Sequence, residues 1–444
     1  MSPPYPMGES PRPAPRNLVE VLRRRGLVHQ VTDEALGPLS AKEPVTAYNG
    51  FDLSAPSLHA GSLYPLMILA HAARCGHRPI FLLGGGTGRI GDPSGREAER
   101  PLLGLDEIEA NVRGMKAQIE RLLGQNGLEV EVLDNAAWLA DLDLVGFLRD
   151  VGKHFTVNWM MAKESVRARL EDREQGISFT EFSYMLLQAY DFLRLHEDRG
   201  CRLQTGGSDQ WGNITAGIEL IRRRTGVQAF GLTCPLLTTP DGKKFGKSVQ
   251  GAVWLDAART SPYRFYQFWM NQGDALASSL LAAFTLLPME EIEAVRAESA
   301  KTPETRLAQR RLAAEATAFV HGREAAARAE GASRVLFGEG SLRDLDAATL
   351  EEVFADVPSA AIPRSELVKT VAFVALFLKT GLVKSVSEFR RLQGQGALTW
   401  NETRIKGDDP TAGAGVGIES FLHGKFLVLR RGKKDYALVR VVEG

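Results

Sequence analysis

The sequence predicts an α/β protein whose first part is built on a doubly wound parallel sheet. Short apolar segments of strand length alternate with longer helical patterns between Tyr48 and Thr205, the spacing typical of parallel strands joined by crossover helices. Several of these strands run into loops rich in glycine or polar residues. Because ligands bind beyond the carboxyl ends of the strands in such sheets, these loops are where we expect a functional site.

The first such corner is Tyr48–Ser62, YNGFDLSAPSLHAGS, which reads as a strand end, a turn and a helix start. Asp52 and Ser54 carry turn and cap chemistry, and the apolar run Leu63–Ala73 suits a buried helix. Free N–H groups and the helix dipole favour an anion there, and Gly61 would let its backbone come close. On this segment alone, an ordinary strand–turn–helix with a capping histidine is the more economical interpretation.

The second corner is the loop Gly84–Glu97, GGGTGRIGDPSGRE, which follows an apolar strand. It lacks the Gly-Lys-Ser/Thr ending of a phosphate-binding Walker A loop and the context of a dinucleotide-binding GxGxxG loop. Two interpretations of this segment remain: a tight loop that a ligand approaches, and a plain turn. The elements predicted around it are the strands Pro79–Leu83, Glu129–Leu133 and Arg202–Thr205 and the helices Asp106–Leu123, Leu142–Val151 and Thr180–Leu195.

Polar side chains line one face of the helix Thr180–Leu195. Tyr184, Gln188 and Asp191 stand at positions i, i+4 and i+7 and therefore share that face. A solvated polar stripe is the ordinary explanation, and a pocket wall carrying a phenol, an amide and a carboxylate is the functional one. The loop GGSDQWGN at Gly206–Asn213 then forms a further strand–loop–helix corner.

The segment Asp241–Ser248, DGKKFGKS, combines three lysines with two glycines. A charged hairpin is one explanation. A flexible loop whose lysines make transient contacts with a phosphate chain is the other.

The bulk composition excludes several classes of protein. The 444 residues carry 54 basic and 54 acidic side chains, so any nucleic-acid surface must be local. Three cysteines without CxxC spacing indicate a reducing compartment with neither a disulfide framework nor a zinc knuckle. The longest apolar run, Val371–Leu378, has eight residues and falls short of the ~20 that span a bilayer. We therefore expect no membrane association.

Two separated signatures, HAGS at His59–Ser62 and KFGKS at Lys244–Ser248, resemble the nucleotide-binding motifs of class I aminoacyl-tRNA synthetases. The segments YNGFDLSAPSLHAG, GGGTGRIGDPSG, YMLLQAYDF, GGSDQWGN and SPYRFYQFWMN narrow the resemblance to the bacterial-type tyrosyl-tRNA synthetases. It extends from Asn17 to the C-terminus. It implies a tyrosine–tRNA ligase that activates tyrosine with ATP and transfers it to the 3′-terminal adenosine of tRNA.

The resemblance also implies a domain order. We expect a Rossmann-type catalytic domain over residues 17–250, an α-helical domain over 251–340, a linker over 341–363 and a small α+β RNA-binding domain over 364–444. That last segment has 14 basic and 8 acidic side chains, a local positive surplus. Residues 1–16 contain six prolines and are expected to be a disordered tail.

Matching the motifs residue by residue assigns roles to this chain. The tyrosine-binding residues would be Tyr48 and Asp191 at the phenol, Asp92, Tyr184 and Gln188 at the ammonium, and Gln210 near the reacting carboxylate. The ATP-binding residues would be Gly50, Asp52, Ser54, His59, Gly61, Gly207, Asp209 and Lys247. The residues that stabilise charge on the phosphates would be His59, Ser62, Lys244, Lys247, Arg96 and Arg100. Mg²⁺ is expected with ATP, with no metal-binding residue assigned.

Two departures from the family pattern keep alternatives open. Ser62 stands where the first motif usually has its second histidine, and the segment ALTWNETRIKG in the last domain matches loosely. One alternative is a diverged paralogue that activates tyrosine but charges tRNA weakly. The other is a non-catalytic RNA-binding protein, against which the retained phosphate-handling residues argue. The family further implies a cytoplasmic homodimer.

Overall fold

A computed structural model describes residues 13–94, 103–163, 166–167, 170, 176–237, 245, 247–248, 251–336, 340–355, 357–368, 371–405, 416–432 and 435–443. The chain forms two compact units. The N-terminal unit is Met1–Thr260 with Phe268–Gly322, and the C-terminal unit is Ser261–Gln267 with Arg323–Gly444.

A six-stranded sheet forms the centre of the N-terminal unit. Its order is β1-β6-β5-β2-β3-β4, and every neighbouring pair is parallel except β1 with β6. The chain steps outward from β2 to β3 and β4, then returns to the other side of β2 with β5 and β6. The predicted doubly wound parallel sheet is thus confirmed. Its strands are β1 Gln30–Val31, β2 Thr46–Phe51, β3 Arg78–Leu83, β4 Glu131–Asp134, β5 Cys201–Gly207 and β6 Phe230–Cys234.

The sequence order reverses between β2 and β5. Tyr48 on β2 pairs in register with Ile80 on β3 and Gln204 on β5, so it lies at the centre of the sheet. Beyond the carboxyl ends of these central strands the two halves of the sheet diverge and leave a crevice. A separate antiparallel pair, β7 Lys247–Ser248 and β8 Gly251–Ala252, follows β6 in the chain.

Local sequence signals define the helix that borders this crevice. The helix Phe179–Arg199 begins with a capping box between Ser178 and Glu181 and ends at Gly200, whose φ of 62° suits glycine. The other helices of the N-terminal unit are Leu18–Arg24, Leu36–Lys42, Leu63–Arg74, Leu105–Gln125, Ala136–Leu139, Leu144–Asp150, Val157–Met161, Trp211–Thr225, Asp274–Ala283, Met289–Lys301 and Leu307–His321.

The C-terminal unit is an α+β fold around a five-stranded sheet of order β11-β10-β12-β13-β9. The strands are β9 Ser359–Pro363, β10 Leu398–Trp400, β11 Thr403–Arg404, β12 Phe426–Arg431 and β13 Asp435–Val442. Its helices are Arg323–Leu336, Ala347–Val353, Phe373–Lys379 and Val386–Gly394, and Pro262–Met270 crosses the boundary between the units.

The observed boundaries differ from those expected from the sequence. Most of the expected helical domain, residues 251–340, belongs to the same unit as the parallel sheet. Side-chain hydrogen bonds tie it there: the buried Arg25 guanidinium donates to Ala282 O, and the partly buried Gln125 Nε2 donates to Phe319 O. The expected linker, residues 341–363, is structured. Pro363, interpreted as a breaker, lies in β9 at the edge of the sheet, where proline is tolerated.

The structure also differs from the expected disordered tail at the C-terminal end of that segment. Residues 1–12 lie outside the described residues. Arg16, which we placed in the tail, is fixed through its backbone, because its N–H donates to Cys75 O at 3.0 Å and its carbonyl contacts His77 Nε2 at 2.9 Å. All three cysteines are buried and free. In the part of the chain that the structure describes, no helix is long and apolar enough to cross a membrane.

Candidate active site

A cavity of about 220 Å³ occupies the crevice at the carboxyl ends of β2 and β5. It brings together residues from six separate stretches of sequence. The six residues matched to tyrosine binding all line it: Tyr48, Asp92, Tyr184, Gln188, Asp191 and Gln210. The face of the Phe179–Arg199 helix that carries the polar stripe is therefore a pocket wall.

Asp191 is a buried carboxylate with two hydrogen-bond donors. Asn135 Nδ2 donates to Oδ2 at 2.9 Å and Trp138 Nε1 donates to Oδ1 at 2.7 Å. Burial raises the pKa of Asp191 to about 7, and the two hydrogen bonds oppose this rise because they stabilise the ionised form. The carboxylate is thus poised to change charge near neutral pH.

Tyr48 presents a buried hydroxyl to the same cavity. Its side chain is 1% exposed and packs on Phe192 with ring centroids 5.3 Å apart, yet its hydroxyl has no hydrogen-bond partner among the described residues. Burial, reinforced by the Asp191 charge, raises the pKa of Tyr48 well above 10, so the phenol stays neutral and can donate. An unsatisfied buried hydroxyl costs about 1–3 kcal/mol, which a polar ligand would recover.

Asn135 connects the cavity floor to the glycine-rich loop. Its Oδ1 accepts from the Gly86 N–H at 2.7 Å, while its Nδ2 donates to Thr87 Oγ1 and to Asp191. The adjacent Gly85 N–H donates to Asp134 Oδ1 at 3.0 Å. The loop is therefore held against the end of β4 by side chains and forms part of the pocket.

The opposite wall is a network of amides and a carboxylate. Gln210 Nε2 donates to Asp92 Oδ2 at 2.7 Å, and Gln188 Nε2 donates to Gln210 Oε1 at 3.2 Å. Asn213 Nδ2 donates to Gln188 Oε1 at 3.0 Å. Burial raises the pKa of Tyr184 well above 10, and the charge of Asp92 makes the second-largest contribution to this rise. The wall offers a negative charge and several fixed oxygens to a cationic group.

Gly50 lines the cavity at the end of β2, and a Cβ built there meets nothing within 4 Å. Its open space faces the pocket, so glycine here leaves room for a ligand. Asp52 and Gly207 also line the cavity, whereas Ser54, His59, Gly61 and Asp209 do not. The loop that carries Ser54 is braced by the helix Leu105–Gln125 through two side chains, Asn111 bonding to Leu53 O and Gln118 to Leu58 N–H.

The HAGS motif starts a helical segment beside the cavity. Ser62 Oγ lies 3.4 Å from both the N–H and Nδ1 of His59, an arrangement that caps the segment. The Ala60 N–H donates to Val253 O at 2.7 Å, and a Cβ built at Gly61 would lie 3.0 Å from Phe245 O. The backbone of Phe245, within the KFGKS motif, therefore lies directly against the HAGS motif.

Phe245 anchors the second motif. It is 5% exposed and stacks among Phe268, Trp269 and Phe284, with ring centroids 5.4–5.8 Å away. The backbone of Lys247 lies in β7, two residues further on. The predictions for Arg96, Arg100 and Lys244 lie outside the described residues.

Comparison with known proteins identifies the family. A family model for class I tRNA synthetases (W and Y) matches residues 40–338, and a model for the tyrosine–tRNA ligase SYY-like C-terminal domain matches 349–439. The tyrosine–tRNA ligase of Roseiflexus castenholzii is 50% identical over 428 residues, covering 96% of this chain and 99% of that protein. The chain belongs to the tyrosine–tRNA ligase family of class I synthetases.

Other relatives of this family agree. The tyrosine–tRNA ligase of Geobacillus stearothermophilus is 49% identical over 96% of this chain and 99% of its own length. Among solved structures, a C-terminally truncated mitochondrial tyrosyl-tRNA synthetase of Aspergillus nidulans superposes with a TM-score of 0.67 at 33% identity, covering 72% of this chain and 94% of its own. These similarities extend over both motifs and the α/β fold.

Sequence reasoning missed three polar residues of this synthetase site. Asn135 and Trp138 hold Asp191, and Asn213 holds Gln188. The sequence does contain polar residues directly after the predicted strand Glu129–Leu133, the position where a parallel sheet gathers its site residues. That signal could have drawn attention to Asn135. Among the described residues, no group of three His, Cys, Asp or Glu side chains could hold a metal ion.

Proposed function

We propose that this chain is a working tyrosine–tRNA ligase that forms tyrosyl-adenylate and pyrophosphate from L-tyrosine and ATP and then esterifies its tRNA. The observation that carries the proposal is the floor of the cavity, where the unpartnered Tyr48 hydroxyl lies near the Asp191 carboxylate. A phenol is the amino-acid side chain that satisfies both groups at once.

Selectivity for tyrosine follows from hydrogen-bonding requirements. The substrate phenol would donate to ionised Asp191 and accept from the Tyr48 hydroxyl. Phenylalanine lacks the hydroxyl and would leave both groups buried and unpaired. This enzyme family is itself the standard example of an amino acid rejected for that reason. The chain therefore requires no editing step against phenylalanine.

The amide wall would hold the other end of the amino acid. The Asp92 carboxylate supplies the charge that a substrate ammonium needs, with Tyr184 and Gln188 as neighbouring oxygens. Gln210, which bonds to Asp92 in the free protein, would orient the substrate carboxylate for reaction. Fixing both ends of tyrosine makes its carboxylate a positioned nucleophile.

In the activation step a tyrosine carboxylate oxygen bonds to the α-phosphorus of ATP as the bond to pyrophosphate breaks. ATP would be bound by the open backbone at Gly50, by Gly61 and Gly207, and by Asp52, Ser54 and Asp209. His59, tethered by Ser62, and the charges of Lys244, Lys247, Arg96 and Arg100 would stabilise the departing pyrophosphate. No protein nucleophile is required.

Mg²⁺ would enter with ATP. Mg²⁺ commonly binds through substrate phosphates while keeping several waters. The described side chains offer no cage for it. We therefore assign no step to the metal.

The C-terminal unit would bind the tRNA. Arg390 and Arg404 are exposed basic side chains on it. The variant Arg390→Glu/Arg404→Glu should raise the KM for tRNA while leaving tyrosine-dependent exchange unchanged, because the charges act only on the nucleic acid. Equal loss in both assays would contradict this assignment.

A homodimer explains an apolar surface on the N-terminal unit. Phe179 is 77% exposed, Val145 72% and Leu144 69%, which is unusual for large apolar side chains of a monomer. A second copy of the chain would cover them. Phe179→Asp should shift the sedimenting species to a monomer, whereas Leu105→Asp, at another exposed leucine, should not. The reduced cysteines fit a cytoplasmic location.

Tyrosine-dependent exchange between ATP and labelled pyrophosphate, followed by tRNA charging on the same preparation, tests the proposal. Exchange and charging together support it. Exchange without charging would favour a diverged paralogue, and RNA binding without exchange would favour a non-catalytic protein.

A further inference from the structure

A second cavity, of about 280 Å³, lies at the C-terminal end of the Leu63–Arg74 helix. It is separate from the site above and is strongly basic. The charged and titratable side chains that argue for a ligand are Arg16, Arg24, Arg25, His71, Arg74 and Glu290. Four guanidinium groups thus face one carboxylate.

Arg25 is the most deeply buried of these arginines. It is 7% exposed, and its Nη atoms donate to three carbonyl oxygens, those of Ala282, Thr285 and Leu287. Its Nε–H has no hydrogen-bond partner in the part of the chain that the structure describes. Burial and the charge of Arg74 lower the pKa of Arg25 to about 10, which still leaves it charged at neutral pH. The three carbonyl oxygens accept some of the hydrogen bonds of Arg25 but leave its positive charge uncompensated.

His71 approaches the cavity from the neighbouring helix. It is 3% exposed, and its Nε2 forms no hydrogen bond with any residue that the structure describes. The residue that follows the helix Leu18–Arg24 and the helix Leu63–Arg74 therefore each contribute one deeply buried nitrogen-bearing side chain, Arg25 and His71, to the lining of one cavity. Leaving such groups unsatisfied costs about 1–3 kcal/mol each. Their shared cavity is large and polar enough to hold a hydrogen-bonding occupant.

We propose that this basic cavity binds a small oxyanion of the phosphate class. Water would supply hydrogen bonds, but only an anion also offsets the excess of positive charge. Arg24 is partly compensated, with Glu290 and Glu293 oxygens at 3.6 Å. Arg16 is exposed and makes no ion pair with any described residue. It is available to close over the ligand.

Binding of the proposed anion is coupled to protonation of His71. The charged and titratable groups that line the cavity together with His71 are Arg24 and Arg25 at the end of the first helix, Arg74 and Cys75 at the end of its own helix, Arg16 before the first helix, and Glu290. Burial and the charges of Arg25 and Arg74 lower the pKa of His71 well below 6.5, so it is neutral without a ligand. An anion would raise that pKa. Binding therefore takes up a proton, and affinity should increase as pH falls.

The test uses the full-length protein with ¹³Cε1-labelled histidine and inorganic phosphate as the probe, at constant ionic strength. His71→Gln assigns the His71 resonance, and the His59 resonance reports phosphate at the active site. The His71 resonance should move and saturate with phosphate. The variant Arg16→Gln should weaken this binding at least fivefold, whereas Arg78→Gln, which removes an exposed arginine outside the cavity, should not.

The pH dependence completes the test. Binding of sulfate, an oxyanion of the same class whose charge does not change in this range, should tighten at His71 when the pH is lowered from 8 to 6. A His71 resonance that ignores phosphate shows that water alone occupies the cavity and overturns the proposal. So does a response that Arg16→Gln and Arg78→Gln weaken equally. The result is independent of exchange activity, which reports the tyrosine site alone.

Discussion

Trp138→Phe isolates the hydrogen bond that keeps the Asp191 carboxylate ionised. The substitution retains an aromatic ring but removes the indole N–H that donates to Asp191 Oδ1 at 2.7 Å. A hydrogen bond to a charged group contributes about 1.5–3 kcal/mol, and one pKa unit corresponds to about 1.4 kcal/mol. Because Trp138 is only partly buried, we take the lower value. The pKa of Asp191, about 7 in the free protein, should rise by about one unit.

The consequence is a shift in the pH dependence of tyrosine binding. The substrate phenol needs ionised Asp191 as its acceptor, so affinity falls as pH drops through the pKa of Asp191. At pH 7.5 the ionised fraction should decrease from about three quarters to about one quarter, which weakens binding about threefold. Above pH 9 the two proteins should bind tyrosine alike.

Equilibrium dialysis with labelled tyrosine between pH 5.5 and 9.5 measures this shift. Trp159→Phe, at a partly buried tryptophan outside the cavity, is the matched control and should leave the profile unchanged. Asp191→Asn should bind weakly with no dependence on pH near 7. Equal weakening of Trp138→Phe at every pH would mean that the indole only packs, and would refute the electrostatic argument.

Substitutions at three further positions test other parts of the account. Gly50→Ala should lower the kcat/KM of exchange at least tenfold with an unchanged Tm, because its Cβ meets no protein atom but enters the ligand space; normal exchange would contradict this. Ser62→His should change the exchange rate less than about threefold, since Ser62 already contacts His59; a tenfold gain would mark a compromised enzyme. Glu402 has a φ of 73° and its carboxylate binds Ser341 Oγ and Leu342 N–H. In urea unfolding, Glu402→Ala should therefore cost about 1–2 kcal/mol, and Glu402→Gly should regain about 1 kcal/mol of that by removing backbone strain.

Local sequence signals predicted a secondary-structure element well where several of them agreed. The helix expected over Thr180–Leu195 extends to Phe179–Arg199 because Ser178 and Gly200 supply both caps. The strand expected over Glu129–Leu133 begins two residues later and runs to Asp134, following its pairing with β3. Strand ends depend on the neighbouring strand, which sequence periodicity does not contain.

The domain boundaries could not be predicted because they depend on tertiary contacts. Prolines at 358 and 363 suggested a linker, yet β9 pairs with β13 through Pro363. Likewise, the helical pattern over residues 251–340 looked like a separate domain. Side chains such as Arg25 and Gln125 join them to the N-terminal unit, and no local pattern reveals a partner 194 to 262 residues away.

Some residues of the site could likewise be predicted from the sequence, and others could not. The spacing of Tyr184, Gln188 and Asp191 placed them on one face, and they share the cavity. Whether that face met solvent or a pocket was undecidable from the helix alone. Asn135 and Trp138 act by holding Asp191, so their importance appears only once β4 and the Phe179–Arg199 helix are packed together.

The central claim is that the cavity at the end of β2 activates tyrosine. Tyrosine-dependent exchange of pyrophosphate into ATP, measured on purified, folded protein with phenylalanine as the matched substrate, tests it most directly. We expect rapid exchange with tyrosine and none above background with phenylalanine. Absence of exchange with tyrosine, or equal exchange with both amino acids, would contradict the account.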